Sequence, residues 1–231
     1  MNEKSEKPTL YSYCIPIDDG AAPNPYWDTC TLAICKPVIR RVANIGDWIV
    51  GLGSKNSPIG DIHNKIVYIM KISNKLTFAQ YDEFCKTNLT KKIPVITNED
   101  PIYHLGDCIY DFSKYPNVEQ RKGVHKEGNQ PIDLGGKYVL LSNHFYYFGD
   151  KPYSLPKKFY AIIKDGQGHK STFNDPYVLD FIAWLEKTNI QPNTLYGKPQ
   201  IKIDLNKDRE IVCKCAKIRK ESDELDELQK C

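Results

Sequence analysis

The chain has 231 residues, of which 41% are hydrophobic and 26% are charged, and its formal net charge is +3. This length supports one well-packed core or at most two small ones, and the mildly basic balance permits an anionic partner without the strong excess typical of proteins that coat duplex DNA. No stretch approaches the roughly 20 apolar residues of a membrane span, and residues 1–8 lack the apolar segment of a secretion signal, so we predict a cytoplasmic protein with no membrane partner.

The first half of the chain has the pattern of strands separated by loops. Residues 1–8 are predicted to be a flexible leader, and the many Gly, Pro, Asn and Asp residues within 18–27 predict a loop. The last of four predicted strands is a nearly continuous apolar run, which indicates burial on both faces. These strands are predicted at residues 10–15, 30–35, 48–53 and 65–72.

A first helix is predicted to follow these strands and to end near Lys86. Thr77 and Gln80 have the spacing of a capping box, and Leu76 can pack onto Tyr81. The aromatic residues at 78, 81 and 84 then share one face of the helix.

The second half has fewer regular signals. Residues 88–136 are predicted to be mostly loop, and a second helix is predicted to begin with Asp175 as its cap and Pro176 in its first turn. A charged helix or frayed tail is predicted at residues 217–230. Strands are predicted at residues 108–112, 137–148, 159–163 and, at a sheet edge, 200–205.

Many strands with few helices, and without strict alternation, predict an α+β fold. We expect a domain at residues 9–190 and a C-terminal extension with a charged tail at residues 191–231. The eight Cys residues are predicted to be thiols. Because no CxxC pair or zinc-type Cys/His spacing occurs, we predict neither a metal nor a cofactor.

The loop at residues 18–27 carries side chains that suit a ligand wall. Asn24 offers a donor and an acceptor to a base edge, Tyr26 and Trp27 offer rings for stacking, and Asp18 is a candidate acid–base group. The loop is interpreted either as a lid or wall over a ligand, or as a turn with an aromatic anchor.

Basic residues follow the second predicted strand. Thr31, Lys36 and Arg40 suit a phosphate, since an arginine fork bonds phosphate twice; a solvated basic turn is the alternative. Cys35 beside Lys36 is either a thiolate or, as is more common, a small buried thiol.

The strand at residues 48–53 is punctuated by glycines, which let a ligand or another strand approach the backbone closely. Asp47, Trp48, Gly53 and Ser54 are therefore candidate ligand residues, although Trp48 also suits the core. We expect this strand and the Asn24 loop to wall one cavity that is rimmed by cations and sized for a flat heterocycle.

Three further histidines are candidates. His169 and Lys170 end a glycine-rich segment that suits either a backbone nest for an anion or a surface turn. His104 and His144 are candidate acid–base groups with Asp18 and Asp47. His144 is also a candidate ligand residue on the polar face of a strand, with a satisfied core histidine as the alternative. No Ser-His-Asp or Cys-His order stands out in the sequence.

Several motifs resemble one known family, in the expected order along residues 10–188. They are APNPYWDTCTLAICKPVIRRVANIGDWIVGLGS (22–54), KLTFAQY (75–81), IYHLGD (102–107), SNHFYYFG (142–149) and GQGHK (166–170). The chain resembles the second nucleotide modification-associated domain family, which is named for gene neighbourhoods rich in base-modifying and phage-conflict enzymes.

The resemblance also bears on fold and function. The G-D-W-I strand of this family is similar to a strand of PUA-like barrels such as the ASCH and EVE domains, which bind modified bases or RNA. This similarity implies a strongly curved mixed sheet or a PUA-like β-barrel with two to three flanking helices. It implies a module that binds a nucleotide or a modified nucleic-acid base, with an enzyme of transferase or hydrolase type as the alternative.

Overall fold

A computed structural model describes residues 7–203 and residue 205. Its strands are β1 (Leu10–Cys14), β2 (Cys30–Leu32), β3 (Trp48–Leu52), β4 (Lys65–Lys71), β5 (Asn74–Thr77), β6 (Tyr110–Asp111), β7 (Glu119–Gln120), β8 (Tyr138–Ser142), β9 (Phe145–Tyr147), β10 (Tyr153–Ser154), β11 (His169–Lys170) and β12 (Thr194–Leu195). Its α-helices are α1 (Pro37–Val42), α2 (Phe78–Thr87), α3 (Gln130–Gly135) and α4 (Val178–Glu186). Short 3₁₀ helices cover Thr90–Lys92, Pro101–Leu105, Glu127–Asn129, Lys157–Ile162 and Thr172–Tyr177.

A seven-stranded mixed sheet organises the fold. Its order is β11-β1-β3-β4-β9-β12, with β10 added beside β4. The pairs β1–β3 and β9–β12 are parallel, and the other pairs of this sheet are antiparallel. A smaller sheet has the order β2-β8-β5, and β6 pairs with β7.

The α+β prediction is confirmed, but the expected barrel is wrong. Within the described residues the main sheet stays open, with β11 and β12 at its edges, and it is not strongly curled. Four α-helices accompany it in the described part of the chain, rather than two or three. None of the helices in the described part of the chain is long and apolar enough to cross a membrane.

Strands β3 and β4 lie at the centre of the sheet and are buried on both faces. Trp48 and Val50 pack in the same hydrophobic layer as α4, whereas Ile49 packs in the layer on the opposite face. A side chain at Gly51 would place its Cβ 2.4 Å from atoms of Ile15 and Tyr68. The close approach that this glycine permits is therefore made by the protein's own side chains.

The predicted helix after the fourth strand is confirmed as α2, together with its capping box. The Thr77 hydroxyl accepts a hydrogen bond from the Gln80 amide at 3.3 Å, and the Gln80 side chain accepts one from the Thr77 amide at 2.9 Å. The box satisfies two amides that the first helical turn leaves without main-chain partners.

We expect Thr77→Ala to lower the free energy of unfolding by about 1 kcal/mol, because the cap is lost while the helix itself remains. Urea denaturation followed by circular dichroism measures this change. Thr87→Ala, at the exposed C-terminal end of the same helix, is the matched control. Equal losses in the two variants would show that the cap has no special role.

The longest predicted strand, residues 137–148, is in fact two strands in different sheets. Strand β8 belongs to the small sheet and β9 to the main sheet. Between them the Ser142 hydroxyl accepts a hydrogen bond from the His144 amide at 3.1 Å, which is a local turn that ends the first strand. Hydrophobic pattern alone does not mark this crossing, because both halves are buried.

Other predicted elements also differ from the structure. The strand predicted at residues 159–163 is a 3₁₀ helix, in which Phe159 and Ile162 reach the same hydrophobic layer; a spacing of three suits a 3₁₀ turn and not a strand. Asp175 and Pro176 lie in a 3₁₀ turn before α4, whose N-cap is Tyr177. Helices α1 and α3 were not predicted.

The elements predicted in the C-terminal region lie near or beyond the last residues that the structure describes. Residues 200–203 form no strand, so the predicted edge strand is absent from the described part of residues 200–205. The charged helix or tail at residues 217–230 lies outside the described residues. The domain limits stay a prediction, although β12, beyond residue 190, pairs with β9.

Candidate functional site

A cavity of ≈420 Å³ lies at the N-terminal end of strand β3. It brings together Asp47, Trp48 and His144, three residues that the sequence had suggested as ligand or acid–base groups. The remaining wall comes from the chain before β1, the turn before β3, strands β4 and β9 and helix α4. The complete lining is Lys7, Pro8, Thr9, Asn44, Ile45, Gly46, Asp47, Trp48, Lys71, His144, Tyr146, Ile182, Leu185 and Glu186.

Three rings form the aromatic part of this cavity. His144 stands edge-on to Trp48, with ring centroids 5.4 Å apart, and edge-on to Tyr146 at 5.7 Å. The His144 Nε2 atom lies 3.3 Å from the Tyr146 hydroxyl. The rings come together because β9 pairs with β4, which also pairs with β3.

Both lysine and carboxylate side chains line this cavity. Exposed Lys71 holds its ammonium 6.0 Å from the Trp48 ring centroid, and Lys7 and Glu186 also line the wall. Both carboxylate oxygens of Asp47 accept main-chain hydrogen bonds, from Thr9 at 2.7 Å and from Asn44 at 2.8 Å. Asp47 therefore shapes the turn that forms the rim.

The position of His144 favours the uncharged form of its imidazole. Burial and the neighbouring Lys71 charge lower the pKa of His144, against the opposing effect of Glu186. The imidazole is therefore neutral at pH 7 and offers one donor and one acceptor.

Asn24 and Thr31 lie outside this cavity, in a buried polar network. The Asn24 amide nitrogen donates to the Leu105 carbonyl at 2.7 Å, and its oxygen accepts from Lys92 Nζ at 2.8 Å. The Thr31 hydroxyl donates to the Asp107 carboxylate. The side-chain groups that Asn24 was expected to offer to a base are used inside the protein.

The other residues of the 18–27 loop also pack inward. Asp18 is buried and accepts a hydrogen bond from the Tyr147 hydroxyl at 2.6 Å. Tyr26 and Trp27 are neighbours in an aromatic row that continues to Tyr103. The structure therefore shows a packed loop with an aromatic anchor, which was one of the two interpretations.

The remaining candidates are dispersed. Buried His104 bonds the Asn98 carbonyl through Nε2 at 2.9 Å. Lys36 lies over the Tyr13 ring, 5.1 Å from its centroid. Gly53 and Ser54 line a second cavity, of ≈530 Å³. His169 and Lys170 form the edge strand β11, in which His169 pairs with Tyr13 of β1.

Arg40, a predicted phosphate ligand, is fully buried. Its guanidinium donates to the carbonyls of Cys35 at 2.7 Å, Asp133 at 2.7 Å and Tyr138 at 2.8 Å. These bonds tie helix α1 to α3 and β8, so Arg40 has a structural role.

The structure also assembles a constellation that the sequence had not indicated. The Cys35 sulfur lies 3.6 Å from His125 Nε2, and His125 Nδ1 lies 2.6 Å from the Asp133 carboxylate. Asp133 also accepts hydrogen bonds from the Cys35 amide at 3.1 Å and from the Tyr110 hydroxyl at 2.7 Å. All three side chains are buried, with Cys35 6% exposed.

His125 and Asp133 shift each other's pKa values. Burial acts to lower the pKa of His125, but the Asp133 carboxylate, together with Cys35, outweighs that effect and raises the pKa to about 10. Burial acts to raise the pKa of Asp133, yet the charge of His125 and its hydrogen bond, with Arg40, hold that pKa below its usual value. The imidazolium form of His125 and the carboxylate form of Asp133 therefore stabilise each other in this buried site.

The sequence signal for this constellation was weak. His125 and Asp133 lie in the segment 88–136, which was predicted to be mostly loop, and Cys35 is 90 residues away from His125. Pro37 begins helix α1 directly after Cys35 and Lys36, and proline at the first helical position is a helix start signal. The described residues contain no group of three His, Cys, Asp or Glu side chains placed to hold a metal ion.

Comparison with protein families agrees with the motifs. The model of nucleotide modification associated domain 2 matches residues 7–207. The chain belongs to this family. Membership of nucleotide modification associated domain 2 links the chain to nucleotide modification systems. Searches among curated proteins and among solved structures find no match.

Proposed function

We propose that this chain binds a nucleotide or a nucleic-acid base, including a modified base, in the cavity lined by Trp48, His144 and Tyr146. The observation that carries the proposal is the meeting of three aromatic rings with the cation of Lys71 in one cavity. Membership of a nucleotide modification family gives independent support.

The chemistry of the cavity suits a flat heterocycle with an attached phosphate. Contact between a base and an aromatic side chain contributes about 1–3 kcal/mol per base and tolerates different bases. A neutral His144 offers its Nδ1 atom to a base edge, since its Nε2 atom already has the Tyr146 hydroxyl as a partner. Lys71 at the rim is placed to meet an anionic group such as phosphate.

A purification experiment tests whether such a ligand exists. We expect the chain isolated from its host to carry a nucleotide, seen as raised absorbance at 260 nm and identified by mass spectrometry after denaturation. Protein that releases no nucleotide and also binds none when nucleoside monophosphates and a short single-stranded oligonucleotide are added would contradict the proposal.

We expect His144→Ala to weaken binding of nucleoside 5′-monophosphates by about 5- to 100-fold, because one ring contact is lost. Isothermal titration calorimetry measures the change. His63→Ala is the matched control, since His63 lies on the separate ≈530 Å³ cavity and bonds the exposed Asp61. An unchanged affinity in His144→Ala, or an equal loss in His63→Ala, would place the ligand elsewhere.

A second candidate function is catalysis by transfer or hydrolysis. The arrangement of Cys35, His125 and Asp133 favours it, whereas Asp18 and His104, two of the predicted acid–base residues, lie outside the Trp48 cavity.

A further inference from the structure

We propose that Cys35, His125 and Asp133 form a catalytic site for acyl transfer, whose substrate class is an amide or ester carbonyl. Cys35 is the nucleophile, His125 is the general base and acid, and Asp133 is the positioning residue. This activity goes beyond ligand binding at the Trp48 cavity and depends on different residues.

The order of contacts is the one that nucleophilic catalysis requires. A thiol lies within reach of a ring nitrogen, and the other nitrogen of the same ring is fixed by a carboxylate. The carboxylate fixes the tautomer and orientation of the imidazole, so that Nε2 faces the sulfur. The three residues come from three separate segments: the turn after β2, the loop before α3, and α3 itself.

The backbone of the nucleophile is held from both sides. The Cys35 amide donates to the Asp133 carboxylate, and the Cys35 carbonyl accepts from buried Arg40. Cys35 has φ 62° and Lys36 has φ 45°, both in the left-handed region that residues other than glycine seldom adopt. Such backbone persists where the surroundings over-determine it, and it is concentrated at active sites.

One carboxylate thus positions both the nucleophile and its base. Asp133 bonds the main chain of Cys35 and the ring of His125 with its two oxygens. A buried cysteine that only filled space would need neither a left-handed backbone nor a fixed imidazole at its sulfur.

The reaction balances with water as the only co-reactant. The Cys35 proton passes to His125 Nε2, and the sulfur attacks the carbonyl carbon to form a C–S bond. The C–N or C–O bond of the substrate then breaks, and the leaving group takes the proton from His125. Water, deprotonated by His125, attacks the thioester, and the C–S bond breaks to release a carboxylic acid and the Cys35 thiol.

The return of the proton is what favours acyl substrates. An amine or alkoxide is a poor leaving group until it is protonated, and His125 is placed to supply that proton. Because Cys35 is 6% exposed, a narrow group reaches it, such as a carboxamide or ester on a small molecule or an extended chain.

The first test uses the unmodified full-length chain and iodoacetamide at pH 7. We expect the Cys35 peptide to be alkylated at least about tenfold faster than the Cys14 peptide, because a thiol beside an imidazole forms the reactive thiolate more readily. Cys14 is the more exposed of the two, and burial raises its pKa. Exposure alone predicts the opposite order, and that order would overturn the proposal.

The second test uses p-nitrophenyl acetate as the acyl probe. We expect release of p-nitrophenolate together with an acetyl group on the Cys35 peptide, seen by mass spectrometry. The labelling disappears in Cys35→Ser and stays unchanged in Cys14→Ser. In His125→Asn and Asp133→Asn its rate falls by about 10²- to 10⁴-fold. Acetylation that avoids Cys35, or that proceeds equally in His125→Asn, would overturn the proposal.

Both tests remain informative if a buried variant fails to fold. Circular dichroism identifies such a variant, and the comparison of Cys35 with Cys14 in the unmodified chain needs no substitution. Neither readout involves Trp48 or His144, so failure of nucleotide binding in the His144→Ala experiment and failure of acylation at Cys35 are separate results.

Discussion

Arg40→Ala is expected to lower the free energy of unfolding by about 3–5 kcal/mol, because it removes one partner of a buried charged network. The guanidinium is fully buried and bonds three carbonyls that lie in separate parts of the chain. Its Nη2 atom also lies 4.0 Å from the Asp133 carboxylate. Alanine would leave that carboxylate and the carbonyls with fewer partners in a dry site.

Urea denaturation of the two adjacent arginine variants measures this effect. Arg41→Ala is the control, because Arg41 is on the same helix α1 but bonds the Gly135 carbonyl in an exposed position at 3.1 Å; we expect a loss below about 1 kcal/mol. If Arg40→Ala left stability unchanged and instead weakened nucleotide binding, the phosphate role suggested by the sequence would be correct and the structural role wrong.

From the tight packing around Arg40 we expect that lysine does not replace it. A side chain added at Gly136 would place its Cβ 2.5 Å from the Arg40 guanidinium carbon, so the flat group lies directly on the glycine. Lysine carries no planar fork that bonds several carbonyls at once. From sequence alone, Arg40 had only the appearance of a surface cation after a strand.

The sequence predicted well those elements whose signals are local. Strand β4 is marked by a nearly continuous apolar run, β3 by an apolar segment punctuated by glycines, and α2 by a capping box and an apolar face. In each case neighbouring residues fix the backbone before any distant contact is made. Predicted and observed limits agree to within one residue in these three elements, and also in β1.

The sequence could not predict features that depend on distant partners. The run at residues 137–148 changes sheet near His144, since its two halves pair with different strands. The six-residue helix α1 is too short to stand on propensity alone, and its contacts with Arg40 partners form only in the folded state. Tertiary context decides both cases.

In the candidate site, too, the sequence indicated residues that are neighbours along the chain but not the contacts that only the fold creates. Asp47 and Trp48 are adjacent in sequence, and only the pairing of β3, β4 and β9 brings His144 to them. Asn24, in contrast, has a side-chain donor and acceptor that suit a base edge when only the sequence is considered. Its burial against Leu105 and Lys92 depends on a cation 68 residues away that the sequence did not single out.

The buried cation Lys92 holds the Asn24 loop in place. We expect Lys92→Met to lower the free energy of unfolding by about 3–5 kcal/mol. Lys92 is fully buried, and its ammonium donates to both oxygens of Asn24, to the Thr29 carbonyl and to the Thr31 hydroxyl, all within 2.9 Å. Methionine keeps most of the volume but leaves these acceptors without their donor.

Comparison with Lys91→Met in urea denaturation isolates the buried charge, because Lys91 is exposed and adjacent in the same short helix. We expect the control to change stability by less than about 0.5 kcal/mol. Losses of similar size in the two variants would mean that the network around Lys92 contributes little, and that the Asn24 loop is held by its apolar contacts.

A double-mutant cycle then separates charge from hydrogen bonding in this network. Burial raises the pKa of Asp107, and the charge of Lys92 opposes that rise; the two residues share the Thr31 hydroxyl as a bonding partner. If charge dominates, adding Asp107→Asn to Lys92→Met recovers about 1–3 kcal/mol, since the uncompensated carboxylate is removed. If the two losses simply add, the ammonium stabilises the fold through its bonds to the Asn24 loop, and the carboxylate is an independent partner of Tyr81, whose hydroxyl lies 2.6 Å from it.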